Sequence, residues 1–269
     1  MTINDESIKN ESIRNISNIE FPKICGILVE PRKKENIPLL IENFHIVMPG
    51  RTLFFFCGTS YYSYYKLLFS DTPFLKIIDS GVDNFTANTH NDYWKKREFW
   101  DHFKGYTHVL TIQTDGCLCT NSKWKIEDFL MYDYVGGYTP NKWWWKETQG
   151  LHKISDYQCF NGGFSFRKIQ TMIDIIDTFP PLQTEGFREN ASFRTYGEDL
   201  YFVVGMLMMN NIKDKMIYKV GLDEFSTNFC THTHYVNDTF CVHKLDNYVQ
   251  KDELQKFLEY CPEFIHFIG

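Results

Sequence analysis

The sequence predicts an α/β fold with a mainly parallel central sheet and helices on both faces, on three observations. Short apolar, β-rich runs alternate with helix-length segments from Lys23 to Thr114, and strands separated in this way pair in parallel through crossover helices. A chain of 269 residues with 43% apolar composition is long enough to bury a substantial core. No repeat, low-complexity tract or linker divides it, so one domain over about 21–269 is expected behind a polar extension at 1–20 rich in Asn, Ser, Glu and Ile.

The first strand is Lys23–Glu30, closed by Pro31, and Pro38 suits the start of a helix through about Met48. Arg51–Cys57 forms a second strand ended by Gly58, Tyr61–Phe69 a short aromatic helix, and Leu75–Ile78 a third strand. Asn91–Phe103 has helical spacing, with Tyr93, Trp94, Phe99, Trp100 and Phe103 giving an apolar surface. His108–Thr114 is the fourth strand, apolar at Val109, Leu110 and Ile112 and polar towards Asp115. Asn121 or Ser122 caps a short helix carrying Ile126, Phe129 and Leu130. Cys159–Arg167 alternates Phe160, Phe164 and Phe166 as a strand, interrupted by Asn161-Gly162-Gly163. Ile169, Met172, Ile173 and Ile176 mark the next helix, stopped by Pro180-Pro181. Gly197 opens another, with Leu200, Val203, Val204, Leu207 and Met208 as its buried stripe. Met216–Val220, Asn228–Cys230 and Phe240–Lys244 are late strands, and Leu254, Phe257, Leu258 and Cys261 belong to a closing helix ended by Pro262.

The formal charge of −6 argues against bulk nucleic-acid or anionic-membrane binding, which needs a basic footprint. It leaves room for a nucleotide ligand, because a divalent ion offsets phosphate charge locally. The longest apolar run, Leu200–Met209, is too short for a transmembrane segment, and the first twenty residues lack a secretory pattern. Eight scattered cysteines read as reduced thiols of a cytoplasmic protein. Cys117 and Cys119 with His232 and His234 have zinc-ligand chemistry, but C-x-C lacks the usual spacing, and small buried side chains explain them as well.

Candidate site residues follow from position and type. Asp115 falls at the carboxyl end of a strand, where α/β sheets hold ligands, and Gly116 lets a ligand or metal approach the backbone; the same Asp-Gly pair also suits a plain turn. Glu30 and Arg32 follow the first strand, where a nucleotide would be held, although Arg32-Lys33-Lys34 also reads as a solvated charge run. Asn161, Gly162 and Gly163 mark either a bulge or close ligand approach. Trp143, Trp144 and Trp145 suit sugar stacking, core packing or a subunit interface. Glu198 and Asp199 open a helix, whose positive end favours their ionised form. Thr195-x-x-Glu198 fits a capping box, which leaves Asp199 to accept a proton from an attacking hydroxyl. His243 is a candidate metal ligand or a structural histidine.

The motifs Val29-Glu-Pro-Arg32, Tyr93 with Phe99-Trp100, Gln113-Thr-Asp115, Asp133-Tyr-Val-Gly-Gly137, Asn161-Gly-Gly-Phe-Ser-Phe-Arg167, Glu198-Asp-Leu-Tyr-Phe202 and Val242-His-Lys244 occur in that order. Together they closely resemble a glycosyltransferase-like family described as a domain of unknown function, itself similar to the GT-A nucleotide-diphospho-sugar transferases. The resemblance covers roughly residues 23 to 245. It implies a GT-A, Rossmann-like fold with a donor half over about 21–120 and a smaller acceptor-side subdomain and C-terminal helix over about 121–269. GT-A enzymes typically carry an Asp-x-Asp motif at a strand end; Asp115 matches the family's single Asp there, and position 117 is Cys. The resemblance places Mn²⁺ or Mg²⁺ on Asp115 and His243. It makes Asn161, Gly162 and Gly163 the acceptor-side loop, with Trp143 and Trp144 as the stacking residues that would add to it, and gives Asp199, or Glu198 without its capping box, as the base.

The function expected from that resemblance is transfer of a hexose from a nucleotide-sugar, a UDP-sugar in the first instance, to a hydroxyl acceptor, with possible inversion. The acceptor class (glycan, glycoprotein or lipid-linked) stays open, as does a homo-oligomer. Two alternatives stand beside it: a degenerate transferase acting as a carbohydrate-binding or scaffold protein, and a zinc hydrolase built on Cys117, Cys119, His232 and His234.

Overall fold

The computed structural model describes residues 22–139, 157–185 and 191–269. The polar extension at 1–20 and the tryptophans Trp143, Trp144 and Trp145 lie outside the described residues. In chain order the strands are β1 (Ile24–Glu30), β2 (Leu53–Cys57), β3 (Leu75–Asp79), β4 (His108–Ile112), β5 (Gly116–Leu118), β6 (Tyr134–Tyr138), β7 (Cys159–Lys168), β8 (Cys230–Thr231) and β9 (Cys241–His243). The helices are α1 (Ile37–Val47), α2 (Tyr62–Leu68), α3 (Ala87–Trp94), α4 (Arg97–Asp101), α5 (Ile169–Thr178), α6 (Glu198–Ile212) and α7 (Lys251–Tyr260).

The strands form one mixed sheet in the order β3-β2-β1-β4-β7-β6-β8-β9-β5. The β3-β2-β1-β4 half is parallel, as crossover connections require. β7 enters antiparallel between β4 and β6, and β5 pairs antiparallel with β9 at the far edge. The result is α/β, with a mixed sheet flanked by helices.

Strand alternation builds a core on each face. In β1 and β2, Ile24, Leu28, Leu53, Phe55 and Cys57 join the core under α1 and α7, with Ile37, Leu40, Phe44 and Phe257. Cys25, Ile27, Val29, Phe54 and Phe56 turn to the opposite core, with Trp94, Trp100, Met172 and Phe202 from α3 to α6. The edge strand β5 is covered by α1: buried Asn43 donates to the Leu118 carbonyl at 2.8 Å and accepts its N–H at 2.9 Å. That side chain occupies groups another strand would otherwise pair.

Several expectations change. The helix expected over Asn91–Phe103 begins earlier and is two helices, α3 and α4. The Trp94 carbonyl accepts the Trp100 indole N–H at 2.8 Å, and the buried Lys95 ammonium leaves the helical path to bind the Leu182 carbonyl and Thr184 hydroxyl at 3.0 and 2.6 Å. The helix expected after Ser122 is only a 3-10 turn at Ile126–Phe129. Neither expected cap serves it: Ser122 accepts the Trp124 N–H, and Asn121 donates to the Tyr260 carbonyl. Met216–Val220 makes a single bridge, Val220 to Tyr134, because the Asn210 side chain takes the N–H groups of Ile217 and Tyr218 and donates to the Tyr218 carbonyl.

Candidate active site

The site sits where α/β sheets present ligands, beyond the carboxyl ends of β1 and β4. A cleft of about 370 Å³ there is lined by Glu30, Arg32, Thr86, His90, Asp115 and Lys244, among others. Glu30 is 5% exposed and accepts the Nε–H and Nη2–H of the Arg32 guanidinium, each at 2.8 Å, plus the Arg32 backbone N–H at 3.0 Å. This fixes Arg32 as a half-exposed cation at the mouth. The reading of Arg32 as part of a freely solvated run is thereby set aside, while Lys33 and Lys34 are exposed.

Asp115 lies between β4 and β5. Its Oδ2 is 3.1 Å from the Lys244 ammonium, and its Oδ1 is 3.1 Å from His243 Nε2. Burial by itself would raise the Asp115 carboxyl; the Lys244 ammonium beside it offsets that and holds it below the usual carboxylate range. Lys244 adopts a left-handed backbone (φ +52°), a conformation costly for a side chain with a Cβ, and its N–H donates to the Asp115 carbonyl at 2.9 Å.

The Asp115–His243 contact has a further property. Although close, the two atoms are not aligned as donor and acceptor: Asp115 Oδ1 and His243 Nε2 are both sealed from solvent without a hydrogen-bond partner. The other ring nitrogen explains why. Asn161 Oδ1 already accepts the Gly163 N–H at 3.1 Å and faces His243 Nδ1 at 2.9 Å, so Nδ1 carries the proton and the lone pair is on Nε2. Burial pulls the His243 imidazole below its ordinary value against the pull of Asp115, in keeping with a neutral ring. A carboxylate oxygen and an imidazole lone pair facing each other suit a divalent cation, with Asn161 orienting the histidine. The described residues offer no group of three or more His, Cys, Asp or Glu for a metal, so an ion here would draw its other ligands from substrate oxygen and water.

The zinc set is not assembled. Cys117 and Cys119 belong to the core, Cys117 Sγ lying 3.8 Å from Cys261 Sγ, and burial raises both thiols. His232 instead stacks on His243 with ring centroids 4.9 Å apart and its Nδ1 2.7 Å from the His243 carbonyl.

Asn161-Gly162-Gly163 ties this pair to the two acids of α6. The β6–β7 register slips between Gly136 and Gly137, so β7 bulges there. A Cβ on Gly163 would lie 2.0–2.5 Å from the His243 ring, and one on Gly162 would lie 2.1 Å from Glu198 Oε1. Both residues must therefore be glycine for the neighbours to pack. Gly116 is needed for the same kind of reason. The space beside it is filled by the Val242 carbonyl and Phe164, so the close approach it permits is that of β9.

The capping box expected for α6 does not form. Gly197 is the N-cap without a side-chain bond, and the Thr195 hydroxyl donates to the Ser192 carbonyl. Glu198 is held by Arg167 through two bonds of 2.5 and 3.0 Å. Arg167 is fully buried, stacked over Trp94 and Tyr134 at 5.0 and 4.9 Å, and also donates to the Gly162 carbonyl. Among the described residues Asp199 has only backbone donors, Leu200 at 2.8 Å and Gly162 at 3.3 Å. Burial, then the charge of Glu198, pushes its carboxyl up to about 6.

Sequence reasoning passed over Arg167, Lys244, His90 and Asn91. Arg167 had a signal, a cation ending the apolar strand Phe164-Ser-Phe166. Lys244 had only its place beside His243. Asn91 Oδ1 accepts the Glu198 N–H at 2.9 Å, bringing α3 against the start of α6. Its neighbour His90 accepts the Trp94 indole N–H on Nε2 at 3.2 Å, and burial lowers its imidazole despite Glu198 and Glu30.

The arrangement is thus that of an α/β protein with a charged cleft at the carboxyl edge of its sheet. A family model described as "Protein of unknown function (DUF5672)" matches residues 76–243, and the chain belongs to that family. The match includes Asp115, Asn161–Gly163, Arg167, Glu198, Asp199 and His243 and leaves out Glu30, Arg32 and Lys244. No curated protein matches the chain. No helix among the described residues is long and apolar enough to cross a membrane.

Proposed function

We propose that the protein is a nucleotide-sugar-dependent glycosyltransferase of GT-A type, moving a hexose from a UDP-sugar to a hydroxyl acceptor. The observation that carries this reading is the environment of two carboxylates joined through His243, Asn161 and Gly162. Asp115 is kept ionised beside a neutral histidine, while Asp199 is raised to about 6 beyond the glycine ridge. Carboxylates driven apart in this way take different chemical roles.

Arg32 and Lys244 neutralise a diphosphate entering the cleft. Asp115 and His243 would hold Mn²⁺ or Mg²⁺. Such an ion, when bound, supplies charge stabilisation for the departing diphosphate. Asp199, ionised at neutral pH, takes the proton from the acceptor hydroxyl. The hydroxyl oxygen bonds to the anomeric carbon as the bond to the diphosphate breaks, and the nucleotide leaves with that electron pair. Glu198 is committed to Arg167, which makes Asp199 the base of the two. A direct attack inverts the anomeric centre; product NMR showing the donor's configuration retained contradicts that step.

The test is a thermal-shift series with UDP, GDP and CMP and their common sugars, with and without Mn²⁺. A ligand that binds only the folded state raises the melting temperature. A Mn²⁺-dependent rise with one nucleotide, lost in Asp115→Ala, supports the reading and names the base. No rise with any donor, in folded protein, defeats it. The Cys117 position favours a second reading, a degenerate transferase that binds carbohydrate without turnover, since a buried thiol stands where a second carboxylate would help hold metal. Donor hydrolysis that depends on Asp199 rules that out.

A further inference from the structure

Among the described residues, His90 is the one imidazole lining the cleft, and its tautomer is set from behind. The Trp94 indole can only donate, so the His90 nitrogen facing it, Nε2, must be the unprotonated one. In the neutral ring the proton then resides on Nδ1, which has no hydrogen-bond partner among the described residues. Trp94 is itself immobilised. It is 3% exposed, its carbonyl is bound by Trp100, and the Arg167 guanidinium lies 5.0 Å from its ring centroid. The next residue along α3, Asn91, holds the first N–H of α6. His90 therefore lines the cleft with Glu30 and Arg32, and its neighbour Asn91 holds the start of α6.

We propose that His90 is a specificity-determining residue whose Nδ1–H donates to a hydroxyl oxygen of the transferred sugar, with Trp94 as the positioning residue that fixes this tautomer. The assignment rests on the glycosyltransferase reading. The sugar is favoured over the diphosphate because the cleft already supplies Arg32 and Lys244 for phosphate charge, whereas a neutral N–H matches a neutral oxygen. A fixed donor accepts a sugar that presents an acceptor there and disfavours one that lacks it, since an unmet donor is costly.

The experiment measures binding of UDP and of UDP-glucose, UDP-galactose and UDP-N-acetylglucosamine, all with Mn²⁺, to the wild type, His90→Gln and Trp94→Phe. The expected result is that His90→Gln binds UDP as the wild type does and loses about five- to tenfold affinity for the preferred UDP-sugar, the range expected of one hydrogen bond. Trp94→Phe keeps the ring beside Arg167 but removes the indole N–H, so it should lose part of the same preference, again with UDP unchanged. Equal weakening of UDP and UDP-sugar by His90→Gln, or no weakening of either, overturns the assignment while leaving the transferase reading intact. A wild type that binds neither UDP nor any donor removes that reading, and the assignment with it.

Discussion

The two acidic regions, at the carboxyl edge of the sheet and at the start of α6, handle charge in opposite ways. At the ends of β1 and β4, Glu30 and Asp115 face cations whose own side chains reach solvent, Arg32 and Lys244. At the start of α6, the partner cation Arg167 is fully enclosed, and it serves only one of two adjacent acids. Asp115 is consequently held low and Asp199 is pushed up. Residue type does not decide the difference, since both are aspartates near a glycine. What decides it is whether a cation reaches the carboxylate. Glu198 takes the guanidinium, and its negative charge then acts on Asp199.

The largest test of this contrast removes the enclosed cation. Arg167→Met leaves Glu198 buried and unpaired, which should cost about 3–5 kcal/mol in urea unfolding. Adding Glu198→Gln should recover much of that loss. A single variant as stable as the wild type would mean the ion pair does not organise the acceptor end.

Next is the pH dependence of Asp199. Its folded pKa, about 6, lies above the ordinary carboxylate value, so the folded state binds more protons than the unfolded state between about pH 4 and pH 6. Asp199 thus favours folding in acid, and that contribution falls as pH rises through this window. Asp199→Asn should be more stable than the wild type at pH 7, by about 2–3 kcal/mol at most, and should converge with it below pH 4. In the same variant, transferase activity should fall about a hundredfold or more, the scale of a lost general base. Wild-type activity should rise with pH around 6. Stability curves that stay parallel across pH 4–7 would show that Asp199 titrates normally.

A smaller effect is expected from the ridge between the two regions. Gly163→Ala puts a Cβ into the His243 ring and should cost about 1–3 kcal/mol while abolishing the Mn²⁺-dependent thermal shift. A variant that keeps the shift would separate His243 from metal binding. The smallest change in stability should come from Asp115→Asn. Asp115 has a depressed pKa, so its contribution is present at neutral pH and fades as pH falls through and below the carboxylate range. The variant's melting temperature should therefore decline less steeply than the wild type's below pH 4, and an unchanged decline would argue against the Lys244 contact.

The sequence made β1, β2 and α1 readable because their signals are local: apolar runs, Pro38 and Gly58. Asp115, Asn161–Gly163 and Glu198-Asp199 stood out as motifs and are linked in the structure through His243 and Gly162. What stayed hidden depends on distant partners. β5 has three residues, too few for a period, and exists through its pairing with β9. The Thr195–Glu198 spacing fitted a local cap, but Arg167, 31 residues earlier, takes the glutamate. The break after α3 likewise depends on carbonyls and a hydroxyl that Lys95 reaches almost ninety residues on. Asparagine at 210 replaced an expected strand with side-chain bonds that no hydropathy pattern records.

β4 ends at Ile112 and β5 begins at Gly116, yet β5 is last in the strand order, on the far side of β7, β6, β8 and β9. Gln113, Thr114 and Asp115 alone join them, with Asn36 donating to the Thr114 carbonyl at 2.6 Å and Lys244 to that of Asp115. A connection so short and so tethered has no slack. Variation in chain length, the usual means by which a fold acquires new specificities, must therefore enter through other loops around the cleft. An inserted residue beside Asp115 would have to move a sheet edge, whereas one added elsewhere on the rim would only reshape the surface.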